Sequence, residues 1–258
     1  MPRDSVELEV EGAVATIRLD NPPLNTLTGP MRHALKEAAE AVAARSDVRA
    51  VMLCAAGERA FSVGSDITTF PHDAVEGRVV SESEHAAYRA LESLPQPLVA
   101  ALRGDVLGGG LELALTADLR VADAEARFGL PEVRIGVFAS GGGTQRLPAL
   151  VGAGRASLLL LTGRAIDAGT ALAWGLVSQV TPVGQAESAA RELAEELAAL
   201  PKLAMSATKR CVREGLRRGR EAGEAAEIAA IAEVYASRDA QEGARAFLEK
   251  RAPRFVHR

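Results

Sequence analysis

Short apolar runs that alternate with helical patterns are the feature that most constrains how this 258-residue chain can fold. Apolar or alternating segments at residues 6–10 and 13–19 predict a β-hairpin. Continuous apolar runs at 48–55 and 97–102 predict buried strands, with helical patterns between them. From Glu187 onward the strand pattern stops, and the chain is rich in Ala, Glu and Arg. This order predicts an α/β core followed by a C-terminal helical region.

The segment between these two buried strands is less regular. Residues 67–82 contain a proline, a glycine and no clear period, which predicts a mobile loop leading to a helix near 82–93. After the second buried strand, the triplet at 108–110 opens an apolar helix. A strand is expected at 176–181, just before the helical tail.

Composition excludes several classes of protein. The net charge is −4 and the chain has only six Phe, two Tyr and one Trp, so no global charge or stacking surface favours nucleic acid. Two cysteines and four histidines lack metal-ligand spacing, so no metal site is expected. No secretory signal pattern and no run of ~18 apolar residues occurs, which predicts a cytoplasmic protein that does not span a membrane.

Glycine clusters identify backbone amides as candidate functional groups. No phosphate-loop, dinucleotide or nucleophile-elbow motif occurs at these glycines. The triplet at 108–110 lies between a strand and a helix, where free N–H groups point outward. An amide from the turn at 61–66 would complete an oxyanion hole, in which two donors bind one oxygen. A tight turn with close packing is the alternative interpretation.

Two glutamates lie next to these glycines. Glu112 follows the triplet in an otherwise apolar stretch, and Glu132 follows Pro131. A buried carboxyl has a raised pKa and can act as a general acid or base near neutral pH. The alternatives are an ordinary favourable charge in a first helical turn for Glu112 and a solvated loop charge for Glu132.

Several ordered motifs make the chain resemble the crotonase superfamily, the enoyl-CoA hydratase/isomerase family, over essentially its whole length. The matching segments are residues 60–67, 104–113, 128–132, 141–147, 161–164 and 173–177. The resemblance implies a spiral of β-β-α units at residues 1–195, with a C-terminal helical trimerisation region at 196–258. It also implies an acyl-CoA thioester substrate, a homotrimer or dimer of trimers, and no metal or separate cofactor, since coenzyme A is part of the substrate.

The same resemblance implies roles for individual residues. The backbone N–H groups of Ser65 and Gly109 would form the oxyanion hole. Glu112 would hold and activate the water that attacks Cβ, and Glu132 would deliver a proton to Cα. The amide of Ser140 would help to hold that water. Retention of both glutamates favours an enoyl-CoA hydratase; a Δ3-Δ2 isomerase, another enolate-using relative and an acyl-CoA-binding protein without turnover are the alternatives.

Contacts with coenzyme A are implied in two places. Backbone groups of Val63, Asp66 and Ile67 would meet the adenine end. Phe247 and Lys250 match a C-terminal motif that reaches the coenzyme A of a neighbouring subunit; a core aromatic and a solvated lysine are the alternatives. The sequence departs from the family at Ser65, where alanine is common and only the amide is expected to matter.

Overall fold

A computed structural model describes residues 5–257 of the chain as an α/β fold. The strands are β1 Ser5–Glu11, β2 Val14–Asp20, β3 Ala50–Ala55, β4 Ala60–Ser62, β5 Leu98–Leu102, β6 Asp105–Leu107, β7 Leu119–Asp123, β8 Arg127–Gly129, β9 Ala165–Asp167 and β10 Gln179–Thr181. The helices are α1 Gly29–Ala43, α2 Ala74–Glu92, α3 Gly109–Ala114, α4 Gly143–Val151, α5 Ala153–Thr162, α6 Ala168–Ala173, α7 Ala186–Ala199, α8 Lys202–Arg218, α9 Arg220–Ala236 and α10 Arg238–Leu248. Short 3-10 segments occupy Ile67–Thr69 and Pro131–Ile135.

The strands form two sheets that the chain visits alternately. The six-stranded sheet has the order β1-β2-β3-β5-β7-β10, and the four-stranded sheet has the order β4-β6-β8-β9. Apart from the antiparallel pairs β1/β2 and β8/β9, neighbouring strands are parallel. The chain runs from β3 to β4 and then α2, and from β5 to β6 and then α3. This repeated β-β-α turn confirms the predicted spiral.

The central strands β2, β3, β5 and β7 of the six-stranded sheet are buried on both faces, as continuous apolar strands require. One face packs against α1 and α2 in the main core, and the other is covered by α7. The contact face of α7 is a line of four alanines, Ala186, Ala190, Ala194 and Ala198. These small side chains let the helix lie close to Met52, Cys54 and Val99. Cys54 is therefore a core residue, and burial raises the pKa of its thiol to about 12.

Two of the last three helices, α8 and α9, form a separate apolar cluster. Helices α8 and α9 pack around Ala207, Cys211 and Ala230. Large apolar side chains of this region remain exposed at Val212, Leu216, Ile228, Ile231, Tyr235, Phe247 and Leu248. No helix among residues 5–257 combines the length and hydropathy that a membrane crossing requires. The cytoplasmic location stays a prediction.

The structure corrects three predicted elements. Helix α2 begins at Ala74, well before the predicted start near 82, because the Asp73 carboxylate accepts hydrogen bonds from the amides of Val75 and Glu76. The last predicted strand at 176–181 is shorter, since β10 starts at Gln179. The turn predicted at 61–66 is partly strand, because β4 covers Ala60–Ser62, and the three-residue strands β6 and β9 were not predicted. The predicted boundary after residue 195 falls inside α7 and stays a prediction.

Candidate active site

Two backbone segments meet where the oxyanion hole was predicted. Gly64 has a φ of 93°, and a Cβ atom there would lie 2.8 Å from the amide nitrogen of Gly109. Ser65 follows Gly64, so this close approach brings the two proposed donor residues together. Gly109 is the first residue of α3, and its N–H therefore has no acceptor within the helix.

Close packing explains another glycine of the triplet. A Cβ on Gly110 would overlap the carbonyl oxygen of Ser62 in β4. The packing interpretation of the triplet is therefore correct at Gly110. At Gly109, packing and a free amide occur together, because the tight contact between β4 and α3 is what exposes this N–H beside Ser65.

Glu112 is a buried carboxyl with two amide donors. It is 2% exposed, and its Oε1 accepts a 2.8 Å hydrogen bond from the amide of Gly143. Burial raises the pKa of Glu112 to about 8, against the opposing effect of the Gly143 amide; the charges of Glu132 and Glu84 raise it further, and the Gly141 amide lowers it. An ordinary surface charge in a first helical turn is therefore the wrong interpretation.

Glu132 is shielded in a different way. Both carboxylate oxygens are inaccessible to solvent, and neither has a hydrogen-bond partner among residues 5–257. Burial raises the pKa of Glu132 to about 7, and the charge of Glu84 contributes to the increase. A Cβ on Gly108 would lie 3.2 Å from Oε1 of Glu132, so this carboxyl lies over the glycine triplet. The solvated-loop interpretation is wrong.

Sequence reasoning missed a polar cluster next to these groups. The Tyr88 hydroxyl donates to the carbonyl oxygen of Gly109 at 2.9 Å. The Ser65 hydroxyl donates to Glu84 Oε1 at 2.7 Å, and Arg32 Nη2 donates to the Ser65 hydroxyl at 2.8 Å. Arg32 belongs to α1, and Glu84 and Tyr88 belong to α2. Only the packing of these two helices brings the side chains together beside Ser65.

The contacts around Ser140 differ from expectation. The Ser140 carbonyl accepts a 3.2 Å hydrogen bond from the Ser81 hydroxyl. The amides that contact Glu112 belong to Gly141 and Gly143, which sequence reasoning did not single out. A Cβ on Gly141 would lie 2.6 Å from Oε2 of Glu112, so the glycine run leaves room for this carboxyl. Water binding by the Ser140 amide stays a prediction.

The predicted coenzyme A contacts lie mostly at the surface. Val63 is half-buried and Ile67 is 67% exposed, while Asp66 accepts a 2.9 Å hydrogen bond from the Thr68 amide and so begins the 3-10 turn. Phe247 is 82% exposed, which makes the core-aromatic interpretation wrong, and Lys250 is exposed. Their contacts with coenzyme A stay predictions.

Within residues 5–257, no group of three or more His, Cys, Asp or Glu side chains has a metal-binding arrangement. The groups that the fold brings together at this site are the carboxyls of Glu112 and Glu132 and the backbone donors at the start of α3. Such a set can polarise a carbonyl oxygen and move protons on adjacent carbons.

Comparison with known proteins agrees with this geometry. A family model described as enoyl-CoA hydratase/isomerase matches residues 9–258. The chain is 35% identical over 253 residues to the short-chain-enoyl-CoA hydratase of Clostridium acetobutylicum, covering 97% of each protein. It is 33% identical over 258 residues to the crotonyl-CoA hydratase of Syntrophomonas wolfei, covering 99% of each. The crystal structure of enoyl-CoA hydratase from Bacillus anthracis superimposes with a TM-score of 0.93 at 34% identity, covering 98% of this chain and 99% of that one. On fold, motifs and similarity over its whole length, the chain belongs to the enoyl-CoA hydratase/isomerase family.

Proposed function

We propose that the protein is an enoyl-CoA hydratase that adds water reversibly to a 2-enoyl-CoA and forms a 3-hydroxyacyl-CoA. The observation that carries this proposal is a pair of buried carboxyls with different environments. Glu112 is held by backbone amides, whereas Glu132 has two shielded oxygens without a partner in the described chain. One carboxyl is fixed for a single task, and the other is free to exchange a proton with a bound substrate.

In this proposal the thioester oxygen accepts hydrogen bonds from the N–H groups of Ser65 and Gly109. When water adds to Cβ, negative charge moves through Cα to this oxygen and forms an enolate. Two amide donors that already point at the oxygen stabilise the developing enolate charge more strongly than they stabilise the neutral thioester. This difference lowers the activation barrier.

The two glutamates divide the remaining chemistry. Glu112 accepts a proton from the water molecule while the oxygen of that water forms a bond to Cβ. Glu132 donates a proton to Cα as the enolate collapses, and the carbon–carbon double bond becomes a single bond. Two carboxyls that act around one water molecule favour addition of H and OH to the same face. The reverse reaction removes the same proton and expels water.

A Δ3-Δ2 isomerase is the second candidate, favoured by the unpaired carboxyl of Glu132. A double-bond shift needs one group that removes a proton and returns it two carbons away, and Glu132 can do both. Glu112→Gln distinguishes the two reactions, because it should reduce hydration strongly while an isomerase activity partly survives. Equal loss of both activities would contradict the proposal that Glu112 acts specifically on the attacking water.

The named relatives suggest a substrate to test, and the exposed apolar surface suggests an assembly. The named relatives act on short-chain enoyl-CoA and crotonyl-CoA, so we take a short 2-enoyl-CoA as the first substrate to test. Val63, Asp66 and Ile67 would contact the adenine end, and Phe247 and Lys250 of a neighbouring subunit would contact the same coenzyme A. The exposed apolar side chains of α8 to α10 would be buried in a homotrimer or dimer of trimers.

The decisive experiment mixes the purified protein with crotonyl-CoA and follows loss of the enoyl-thioester absorbance. We expect turnover, and a decrease of about 100-fold or more in kcat for Glu132→Gln. Glu125→Gln is the matched control, because Glu125 is exposed and lies seven residues earlier. Absence of turnover with short and medium chains, or full activity of Glu132→Gln, contradicts the hydratase proposal.

A further inference from the structure

Helix α2 contacts the segments around the proposed site through one line of polar side chains. Ser81, Glu84 and Tyr88 follow an i, i+3, i+7 spacing and therefore share a helix face. Ser81 donates to the Ser140 carbonyl, Glu84 accepts from the Ser65 hydroxyl, and Tyr88 donates to the Gly109 carbonyl. Both proposed oxyanion residues are thus held by the same helix.

Glu84 is the charged member of this line. Its side chain is 5% exposed, and its Oε1 accepts a 2.9 Å hydrogen bond from Nη2 of Arg32, which is 6% exposed. The same Nη2 donates to the Ser65 hydroxyl at 2.8 Å, so three side chains meet around one hydroxyl. A buried ion pair contributes little net stability compared with an apolar replacement, because both charges lose their hydration. Its position beside Ser65 calls for another explanation.

The turn at Ser65 is held by its backbone on one side only. The residue is exposed, and the segment that follows, residues 66–70, is half-buried or exposed. On its other side the backbone has an isolated bridge to Leu27. The hydroxyl bonds to Arg32 and Glu84 are therefore what connects this turn to α1 and α2.

We propose that Glu84 is a positioning residue that fixes the Ser65 N–H as an oxyanion donor through the Ser65 hydroxyl. This inference rests on the proposed function and assigns a task to the serine where alanine is common in the family. Oxyanion stabilisation depends on donors that stay aligned with the developing charge, and a displacement of about 1 Å can cost ~100-fold in rate.

The charges around Glu84 fit this arrangement. Arg32 faces it from α1, and Tyr88 lies one turn along α2. Burial raises the pKa of Tyr88 well above its ordinary value, and the charge of Glu84 adds to this, so the hydroxyl stays a donor to Gly109. Glu112 and Glu132 both feel the charge of Glu84, which favours their protonated forms.

The test measures polarisation of a bound carbonyl directly. 4-Dimethylaminocinnamoyl-CoA is a chromophoric enoyl thioester, and its absorbance moves to longer wavelength when its carbonyl oxygen accepts strong hydrogen bonds. The probe is titrated into the wild type, Glu84→Gln, Ser65→Ala, the double variant and Glu82→Gln. Glu82→Gln is the matched control, because Glu82 is 64% exposed, pairs with Arg78 on the outer surface and lies on the same helix.

We expect the wild type and Glu82→Gln to give the full red shift. Glu84→Gln and Ser65→Ala should each lose at least half of it, with kcat on crotonyl-CoA reduced by roughly 10-fold and KM changed less than about twofold. The double variant should lose no more than the larger single loss, since both changes break one contact. Ser65→Thr, which keeps a hydroxyl, should recover part of the shift.

Three outcomes overturn the inference. A full red shift in Glu84→Gln, or additive losses in the double variant, would separate Glu84 from Ser65 while the hydratase proposal stands. If Glu84→Gln does not fold, Ser65→Ala alone decides, because it removes no charge, and a full shift in it overturns the inference. If the wild type binds the probe without any red shift, the oxyanion hole and the proposed function fail together with it.

Discussion

The amide of Gly143 donates a 2.8 Å hydrogen bond to Oε1 of Glu112 and joins the N-terminus of α4 to the middle of α3. An ionised carboxylate is favoured at a helix N-terminus by the unpaired N–H groups there. Burial nevertheless outweighs this effect, since the pKa of Glu112 is raised to about 8. The fold therefore keeps a carboxyl whose charged form is unfavourable at neutral pH.

That unfavourable charge predicts a pH-dependent gain in stability for Glu112→Gln. The folded pKa of about 8 lies above the ordinary value of 4.5, so the folded state binds more protons and wild-type stability falls as pH rises through this window. Glutamine keeps the shape without the charge. Urea unfolding at pH 9 should find the variant more stable by about 2 kcal/mol or more.

The control for this prediction is the same comparison at pH 4.5, near the ordinary pKa of a glutamate, where the folded carboxyl is neutral. There the difference between wild type and Glu112→Gln should be small. A variant that is less stable at pH 9 would mean that the ionised carboxylate stabilises the fold, against the effect of its burial.

The pair of glutamates also predicts a bell-shaped dependence of kcat/KM on pH. The reaction needs Glu112 ionised and Glu132 protonated. This is the less populated of the two singly protonated arrangements, because the pKa of Glu112 is raised to about 8 and that of Glu132 to about 7. Activity should fall at lower pH as the base is protonated, and at higher pH as the acid is ionised. The two apparent values belong to the coupled pair.

Initial rates with crotonyl-CoA between pH 5 and 10 measure this profile. In Glu132→Gln the remaining activity should lose one limb of the bell, because one titrating group is gone. A flat profile over the whole range would exclude this pair as the acid and base.

Gly64 predicts a selective effect on catalysis. A Cβ there would lie 2.8 Å from the amide nitrogen of Gly109, so Gly64→Ala should displace an oxyanion donor and lower kcat by about 100-fold. Gly12→Ala is the matched control, because Gly12 also has a positive φ but nothing within 4 Å of an added Cβ. Both variants lose stability from a side chain at a positive φ. Thermal unfolding followed by circular dichroism measures this loss of stability, and steady-state kinetics measures the loss of kcat. Comparable kcat values for the two variants would contradict the role of the Gly109 amide.

The exposed end of α10 predicts an effect on substrate binding in the assembly. Phe247 and Leu248 are 82% and 80% exposed in the single chain. If Phe247 reaches the coenzyme A of a neighbouring subunit, Phe247→Ala should raise KM for crotonyl-CoA about fivefold or more and leave kcat within about twofold. Sedimentation velocity on both proteins should find a trimer or hexamer. A monomeric wild type would contradict this contact.

Local signals made the α/β core, the helical tail and the burial of the Glu112 carboxyl predictable, whereas the spiral of β-β-α units was an implication of the family resemblance. Glycine clusters and carboxyls in apolar stretches are visible in short windows, as at Gly109 and Glu112. The start of α2 was not predictable from apolar periodicity, because its first two turns are largely exposed and carry no apolar stripe. Arg32 and Glu84 are 52 residues apart, and only the packing of α1 against α2 brings them together.

Phe247 illustrates another limit. An aromatic residue in an amphipathic helix is usually buried, and nothing within one chain distinguishes burial in its own core from burial by another subunit. Its exposure became evident only from the packing of α10. The amide of Gly143 was missed for a related reason, since its partner lies 31 residues away and belongs to a different helix.

The two ends of helix α2 have different surroundings. Near its start, Val75 and Val79 are 71% and 59% exposed, whereas Ser81, Glu84 and Tyr88 further along bond to the segments around the site. Residues 74–80 can therefore be exchanged without breaking these three bonds. The surface at the start of α2 is free to diverge between related proteins or to accept engineered changes, while the contacts that hold Ser65 and Gly109 are inherited unchanged.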